Sequence, residues 1–406
     1  MKRTSLTCIA IAFLASASHR STLAATTFGD DLKFLRDHGS VVVLSDKSGQ
    51  AQVIVVPGWQ AHVMTSTAKG PAGVSFGWVN RDLIASGKPT PHMNALGGED
   101  RFWLGPEGGQ FSIFFAKGVP FDLEHWFTPP AIDTEPFQVI SQESDRVVCG
   151  RSIQLENYSG TKLSLDVRRE VRLVGAAESL AKMHVNLPAD VNVVAFESVN
   201  SIKNTGSQAW RKDTGLLSIW ILGMFNASDQ STVVVPFEKG PESARGPIVN
   251  DTYFGKVPAD RLVVKDGVLF FKADANYRSK IGLSPRRAKP LLASYDAANH
   301  ALTLVQFTLP AGVTDYVNSM WKIQDDPFSG DAANSYNDGP AQPGQKQMGR
   351  FYEVESSSPA LSLAPGQSAE HVHRTLHLQG SDKSLDAVAR ATLGVSLDEI
   401  KTAFAK

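Results

Sequence analysis

Residues 325–355 crowd carboxylates, amides and aromatics into one loop and the strand behind it. Asp325, Asp326, Asp331, Asn334, Asn337 and Asp338 are interleaved there with Pro327, Gly330, Gly339 and Pro340. Short polar side chains beside Gly and Pro turn the chain and present oxygen atoms outward. Such an array beside Phe328 and Tyr336 suits a sugar, which offers hydroxyls and an apolar ring face, or a hard cation such as calcium. Long loops in compact domains tend to be functional, so we expect the rim of a binding site here, with Asp331, Asn334 and Tyr336 touching substrate. The competing reading is a polar surface loop whose side chains satisfy only their own backbone.

Three further groups carry chemistry. Glu353 and Glu355 are two residues apart, so a strand puts both on one face with Cα atoms about 7 Å apart. Paired carboxylates at comparable separations do acid and base work on glycosides. Glu353 is expected as general base or hydroxyl acceptor and Glu355 as a substrate-binding residue, unless one simply pairs with Arg350 or Arg374. His371, His373 and His377 also share one strand face by the period of two. Imidazoles titrate near neutral pH, which makes His373, and separately His125 in the run Glu124-His125-Trp126-Phe127, candidates for catalysis opposite a glutamate. A polar sheet face with hydrogen-bonded histidines is the plainer alternative, and no metal ligand set is assigned. Glu99, Arg101, Trp103 and Glu107 lie in a Gly-rich segment, where Arg101 would offer a fork of donors and Trp103 a stacking face, with Glu99 as a further ligand contact. The same residues could instead be an ion pair bracing the loop. Trp59, His62, Lys280 and Arg286 are lesser candidates, the two basic ones suited to an acidic sugar.

The elements that must position these groups are mostly strands. Leu163, Leu165, Val167 and Val171 alternate with polar residues over 162–173, a half-buried antiparallel strand, with 152–157 as its hairpin partner and Arg169 breaking into the apolar face. Further strands are expected at 41–44, 52–56, 62–65, 76–79, 110–115, 191–202, 216–224, 232–235, 262–264, 268–272, 302–309, 350–355 and 370–378. Helices are expected over 30–37 and, in the tail, over 384–393 with Gly394 as its stop, then after Ser396 in a capping box. So many strands in one domain require two large sheets face to face.

Composition narrows the class. The chain has 406 residues, 42% of them hydrophobic, and a formal net charge of -1, which gives no reason to expect nucleic acid or an anionic membrane as partner. Met1-Lys2-Arg3, an apolar run over 6–17 and small residues after it read as a signal peptide for export to the periplasm or the cell exterior, with no membrane association after its removal. Of two cysteines, Cys8 falls in that signal and Cys149 is left without a disulfide partner, so apolar packing must hold the core. The expected division is a signal over 1–25, one β-domain over 26–380 and a helical tail over 381–406, as a monomer.

Three stretches taken together, 97–107 (GGEDRFWLGPE), 197–206 (ESVNSIKNTG) and 351–356 (FYEVES) followed by 363–368 (LAPGQS), resemble the galactose mutarotase-like superfamily, more closely its secreted bacterial members, over roughly 40–380. The resemblance implies a β-supersandwich of two large antiparallel sheets with a carbohydrate cleft on a concave face, and no required cofactor, although calcium remains compatible with the acidic loop. It also implies that mutarotases of the group work with a histidine acid and a glutamate base. The Asn-His and Tyr-Phe-Asn-Leu runs of true galactose mutarotases are absent, so no catalytic histidine is carried over. The expected function is therefore an exported protein binding a mono- or oligosaccharide, with epimerase or mutarotase chemistry leading. The alternatives are a polysaccharide lyase or glycoside hydrolase, or a non-catalytic sugar-binding or cell-envelope protein.

Overall fold

The computed structural model describes residues 26–342 and 344–405; the segment expected to be a signal peptide, with Cys8, lies outside the described residues. Strands form where β-branched and aromatic runs are cut by Gly, Asn and Asp turns. In chain order they are β1 (Val42–Ser45), β2 (Gln52–Val56), β3 (His62–Thr67), β4 (Arg101–Gly105), β5 (Gln138–Gln142), β6 (Arg146–Glu156), β7 (Lys162–Leu173), β8 (Asn192–Asn204), β9 (Ser218–Asn226), β10 (Ser231–Pro236), β11 (Leu262–Lys265), β12 (Val268–Lys272), β13 (Ser279–Leu283), β14 (Leu291–Asp296), β15 (Ala301–Phe307), β16 (Ala333–Asn337), β17 (Phe351–Ser357) and β18 (Ser368–Gln379). The helices are α1 (Phe28–His38), α2 (Arg81–Ser86), α3 (Ala176–Ala181), α4 (Glu242–Arg245), α5 (Asp382–Leu393) and α6 (Leu397–Thr402).

A ten-stranded sheet, in the order β11-β12-β10-β14-β15-β18-β8-β7-β6-β5, is paired with a five-stranded sheet, β13-β16-β17-β9-β4, and β1-β2-β3 form a third, small one. The alternation over 162–173 is realised as β7, antiparallel to β6 with Leu155 opposite Leu163. Phe102, Leu104, Ile219 and Ile221 of the smaller sheet meet Val147, Leu165 and Phe196 of the larger in one apolar core. Ile281, Leu283, Tyr352 and Val354 meet Val233, Leu269, Phe271 and Val305 in another. The outer face of the large sheet is covered by the tail: Leu385, Val388, Leu393, Leu397 and Ile400 pack on Val234, Leu302, Leu376 and Leu378. Gly394 at φ 75° ends α5 in the left-handed region that glycine adopts freely, and Ser396 with Glu399 closes the expected capping box on α6.

Between the two cores runs a polar belt along the central strands β8 and β18. Arg169, wholly buried, donates to Asp100 Oδ1 at 2.5 Å, Asn200 Oδ1 at 2.5 Å and the Ala61 carbonyl at 3.1 Å. The residue that interrupts the apolar face of β7 is thus paired with an acid. Two expected strands are not formed. Residues 76–79 make only single bridges, Gly77 with Phe225 and Val79 with Gly97, and 110–115 only Phe115 with Trp126. In the second segment Ser112 Oγ donates to the Glu107 carbonyl and accepts from Phe114 N–H, a local bonding that competes with a ladder.

Candidate functional site

Alternation along the five-stranded sheet sends one set of side chains to the core and the other to a cleft on its far face. Tyr352 and Val354 of β17 enter the core, which leaves Glu353, Glu355 and Ser357 on the other side. Opposite them in register stand Met224, Leu222 and Trp220 of β9 and, on β16, Tyr336 and Asn334. The cleft has a volume of about 970 Å³ and is floored by Trp220, Lys280, Asn334 and Tyr336. Its walls come from loops: His92 and Met93 after α2, Trp126, Tyr253 and Phe254, and Trp321.

The charges beneath and along this floor are ordered in pairs. Lys280 Nζ and Trp220 Nε1 both donate to Glu355 Oε2 at 2.9 Å. The Lys280 ammonium also sits 4.9 Å from the Trp220 ring and 5.5 Å from that of Tyr253, so it is held by two aromatic faces as well as by the carboxylate. Burial pulls its proton affinity down, but the carboxylates of Glu355 and Glu107 prevail and raise it above the ordinary lysine value. Beside this pair Arg101 donates to Glu353 Oε1 at 2.6 Å and lies 5.3 Å from the Trp103 ring. Burial pushes the Glu353 carboxyl up to about 7 against the pull of Arg101, and the neighbouring Glu355 adds to the rise. Asp331 accepts from Tyr253 Oη at 2.5 Å and Asn250 Nδ2 at 3.3 Å, and Asn334 Nδ2 donates to Tyr253 Oη at 3.2 Å. Burial raises the Asp331 carboxyl, as it does that of Glu107, which accepts from Trp321 Nε1 at 3.2 Å. Gly282 makes room for this cluster: a Cβ there would lie 2.1 Å from Asp331 Oδ2 and 2.6 Å from Asn334 Nδ2.

The residues singled out from sequence separate into three groups. Asp331, Asn334 and Tyr336 line the cleft. Arg101, Trp103, Glu353 and Glu355 stand just below it on the same face of the sheet, Glu355 sealed and Glu353 with 9% of its side chain exposed. The third group lies elsewhere. Glu99 turns into the polar belt, where it accepts from Ser66 Oγ at 3.0 Å and meets His377 Nε2 at 2.6 Å. Gly97 and Gly98, at φ 95° and 115°, redirect the chain before β4, so Glu99 does not follow the alternation that Arg101 and Trp103 obey. His373 is likewise interior: its Nδ1 and His371 Nε2 both lie 2.8 Å from Ser356 Oγ, on the core face of β17 rather than the cleft face. Burial depresses His371 to about 3 and His373 to about 4, so both are neutral rings at ordinary pH. His125 is held by Asp122 Oδ1 at 2.7 Å in a short 3-10 turn whose neighbours Leu123 and Trp126 line the cleft while it does not. In the acidic loop Asp326 caps its own turn through Phe328 N–H. Among the described residues no group of three or more His, Cys, Asp or Glu side chains is gathered to hold a metal ion.

Tyr253, Trp220, Trp321 and His92 form much of the cleft and carried no sequence signal as a set, because they come from four distant segments. Lys280 did carry one, as a basic residue suited to an acidic sugar; it is a strand residue whose alternation with Ile281 points it at the floor.

The Slr1438 protein of Synechocystis sp. PCC 6803 aligns with 84% of this chain and 96% of its own at 12% identity and a TM-score of 0.51. A galactose mutarotase-like protein from Lactobacillus casei ATCC 334 covers 84% and 100% at 10% identity and a TM-score of 0.49. A galactose mutarotase related enzyme from Lactobacillus acidophilus covers 84% and 99% at 10% and 0.44. No protein of curated function matches the sequence. The likeness to the Slr1438 protein extends over nearly all of both chains and speaks to fold alone, and the large antiparallel sheets packed face to face are those expected from the sequence. By sequence, the chain belongs to a family of unknown function, DUF6786, whose profile matches residues 26–404.

Proposed function

We propose that this is an exported carbohydrate-binding protein whose cleft opens and recloses a sugar ring. One observation carries the reading: a cleft of about 970 Å³ whose aromatic faces, Trp220, Tyr336 and Trp321, alternate with fixed hydrogen-bonding groups above a carboxyl poised near neutrality. Aromatic faces suit the apolar side of a pyranose, and Asn334, Asp331 and Lys280 suit its hydroxyls. In ring opening a base accepts the proton of the anomeric hydroxyl, an acid protonates the ring oxygen, and the bond between that oxygen and the anomeric carbon breaks. Rotation of the aldehyde and reclosure give the other anomer.

Acid and base work best when their proton affinities lie near the working pH. Glu353, at about 7 and not fully sealed, fits that requirement from just beneath the floor. With His373 and His125 outside the cleft, the histidine role passes to His92 on the wall. Its Nδ1 lies 2.7 Å from the Trp126 carbonyl, which only accepts, so Nδ1 carries a proton and Nε2 is the nitrogen left to give a proton to the ring oxygen and to recover it on reclosure. Anomer exchange followed by NMR over a panel of aldoses tests the reading. Acceleration is expected for at least one sugar and should fall by roughly 10²-fold or more in Glu353→Gln and in His92→Asn. No acceleration for any sugar removes the isomerase reading, and calorimetric binding without turnover would leave a sugar-binding protein.

A further inference from the structure

The acids and bases of the cleft are unequally committed. Its carboxylates are engaged within the protein: Glu107 with Trp321, Asp331 with Tyr253 and Asn250, and Asp338 with the Tyr336 hydroxyl at 2.8 Å and Gly349 N–H at 2.9 Å. Asp82, at the rim, is the remaining acid. The cations Arg278, Lys322 and Lys346 line the same cleft, and among the described residues none of them has a carboxylate within ion-pairing distance. Arg278 is the best placed. Its guanidinium stacks 4.1 Å over the Phe254 ring, which fixes its plane and leaves its edge donors for a ligand. Gly339 lets the neighbouring loop press onto its backbone, since a Cβ there would lie 2.5 Å from Arg278 N.

Arg278 also acts on the opposite acids: its charge pulls down the proton affinity of Glu107 and of Asp338, although burial raises both overall. With those carboxylates already engaged inside the protein, an arginine that has no carboxylate of its own leaves unpaired positive charge in this part of the cleft.

We infer that the cleft selects a sugar bearing an anionic substituent, a carboxylate or a sulfate or phosphate ester, seated on Arg278 with Lys346 and Lys322 around it. A planar guanidinium matches the two oxygens of such a group with parallel hydrogen bonds, which a neutral hydroxymethyl cannot reproduce. This rests on the reading of the cleft as a sugar site.

Calorimetric titration of the whole chain tests it, with glucuronate against glucose, galacturonate against galactose, and the 6-sulfates and 6-phosphates of both hexoses. At least one anionic sugar should bind roughly tenfold or more tightly than its neutral counterpart, and which arm does so names the substituent. In the unaltered protein that advantage should shrink as salt is raised. Arg278→Gln should abolish it while neutral binding stays within about twofold, and Arg278→Lys should restore part of it. Equal binding of neutral and anionic sugars, or an equal loss of both in Arg278→Gln, overturns this inference alone. Failure of every sugar to bind overturns it together with the carbohydrate reading.

Discussion

Lys280 Nζ lies 2.9 Å from Glu355 Oε2, a contact between β13 and β17 across the intervening β16. With 12% and 0% of the two side chains exposed, the pair is desolvated, and each charge depends on the other. Removing one partner of a buried pair leaves an uncompensated charge and costs about 3–5 kcal/mol. Lys280→Met is therefore expected to lower stability by about that much in urea unfolding. Lys280→Met combined with Glu355→Gln should lose clearly less than the sum of the single changes, and additive losses would show that the pair is not coupled.

Glu353 makes a pH prediction with a definite sign. Its carboxyl is raised from 4.5 to about 7, so the folded protein binds a proton that the unfolded chain releases. The contribution to stability is present in full below about pH 4.5 and is lost as pH rises through 7, on the order of 3 kcal/mol. The urea stability of the unaltered protein relative to Glu353→Gln should rise from pH 8 to pH 5, a comparison that cancels the opposite effect of the buried histidines. The rate of anomer exchange should show an ionisation near pH 7 that the same variant lacks.

Gly282→Ala is a test of the binding cluster that touches no ligand group itself. The added methyl would meet Asp331 Oδ2 and Asn334 Nδ2 well inside contact distance and displace both. Sugar affinity should drop about tenfold or more, with a stability loss of about 1–3 kcal/mol from overpacking. Unchanged affinity would mean that Asp331 and Asn334 do not contact the sugar.

The buried histidines set the acid limit. His371 and His373 are depressed to about 3 and about 4, so the unfolded chain takes up protons below pH 6.5 that the folded protein refuses. Their contribution is complete above pH 6.5 and is lost as pH falls toward 4, several kcal/mol in sum. Thermal unfolding across that window should show stability falling with acid, with a shallower slope in His373→Asn than in the unaltered protein.

Much of the fold was legible because alternation is local. The β7 pattern, the capping box at Ser396 and the stop at Gly394 need only their own neighbours, and all three are formed. The face a strand residue presents was also legible, which is why Glu353 and Glu355 fall together; Asn334 and Tyr336, expected in a loop, join them because 333–337 forms β16 beside β17. What a face looks toward was not. His371, His373 and His377 do share a side of β18, but nothing in the strand tells the interior of a sandwich from its cleft. The Gly-rich segment also misled at Glu99, because Gly97 and Gly98 at positive φ turn the chain just before it and send it into the polar belt. Wall residues such as His92 and Tyr253 are brought in by loops, whose course depends on packing across the whole molecule.

Arg169 has a consequence for how the two sheets sit on each other. It leaves β7 of the large sheet and bonds the backbone of Ala61 and Asp100, which lead into β3 and β4. Oily layers tolerate sliding, whereas a guanidinium gripping two carbonyls and a carboxylate has a single seat. The belt therefore works as a locating pin, and the seat of the cleft-bearing sheet is indexed to strands outside the cleft.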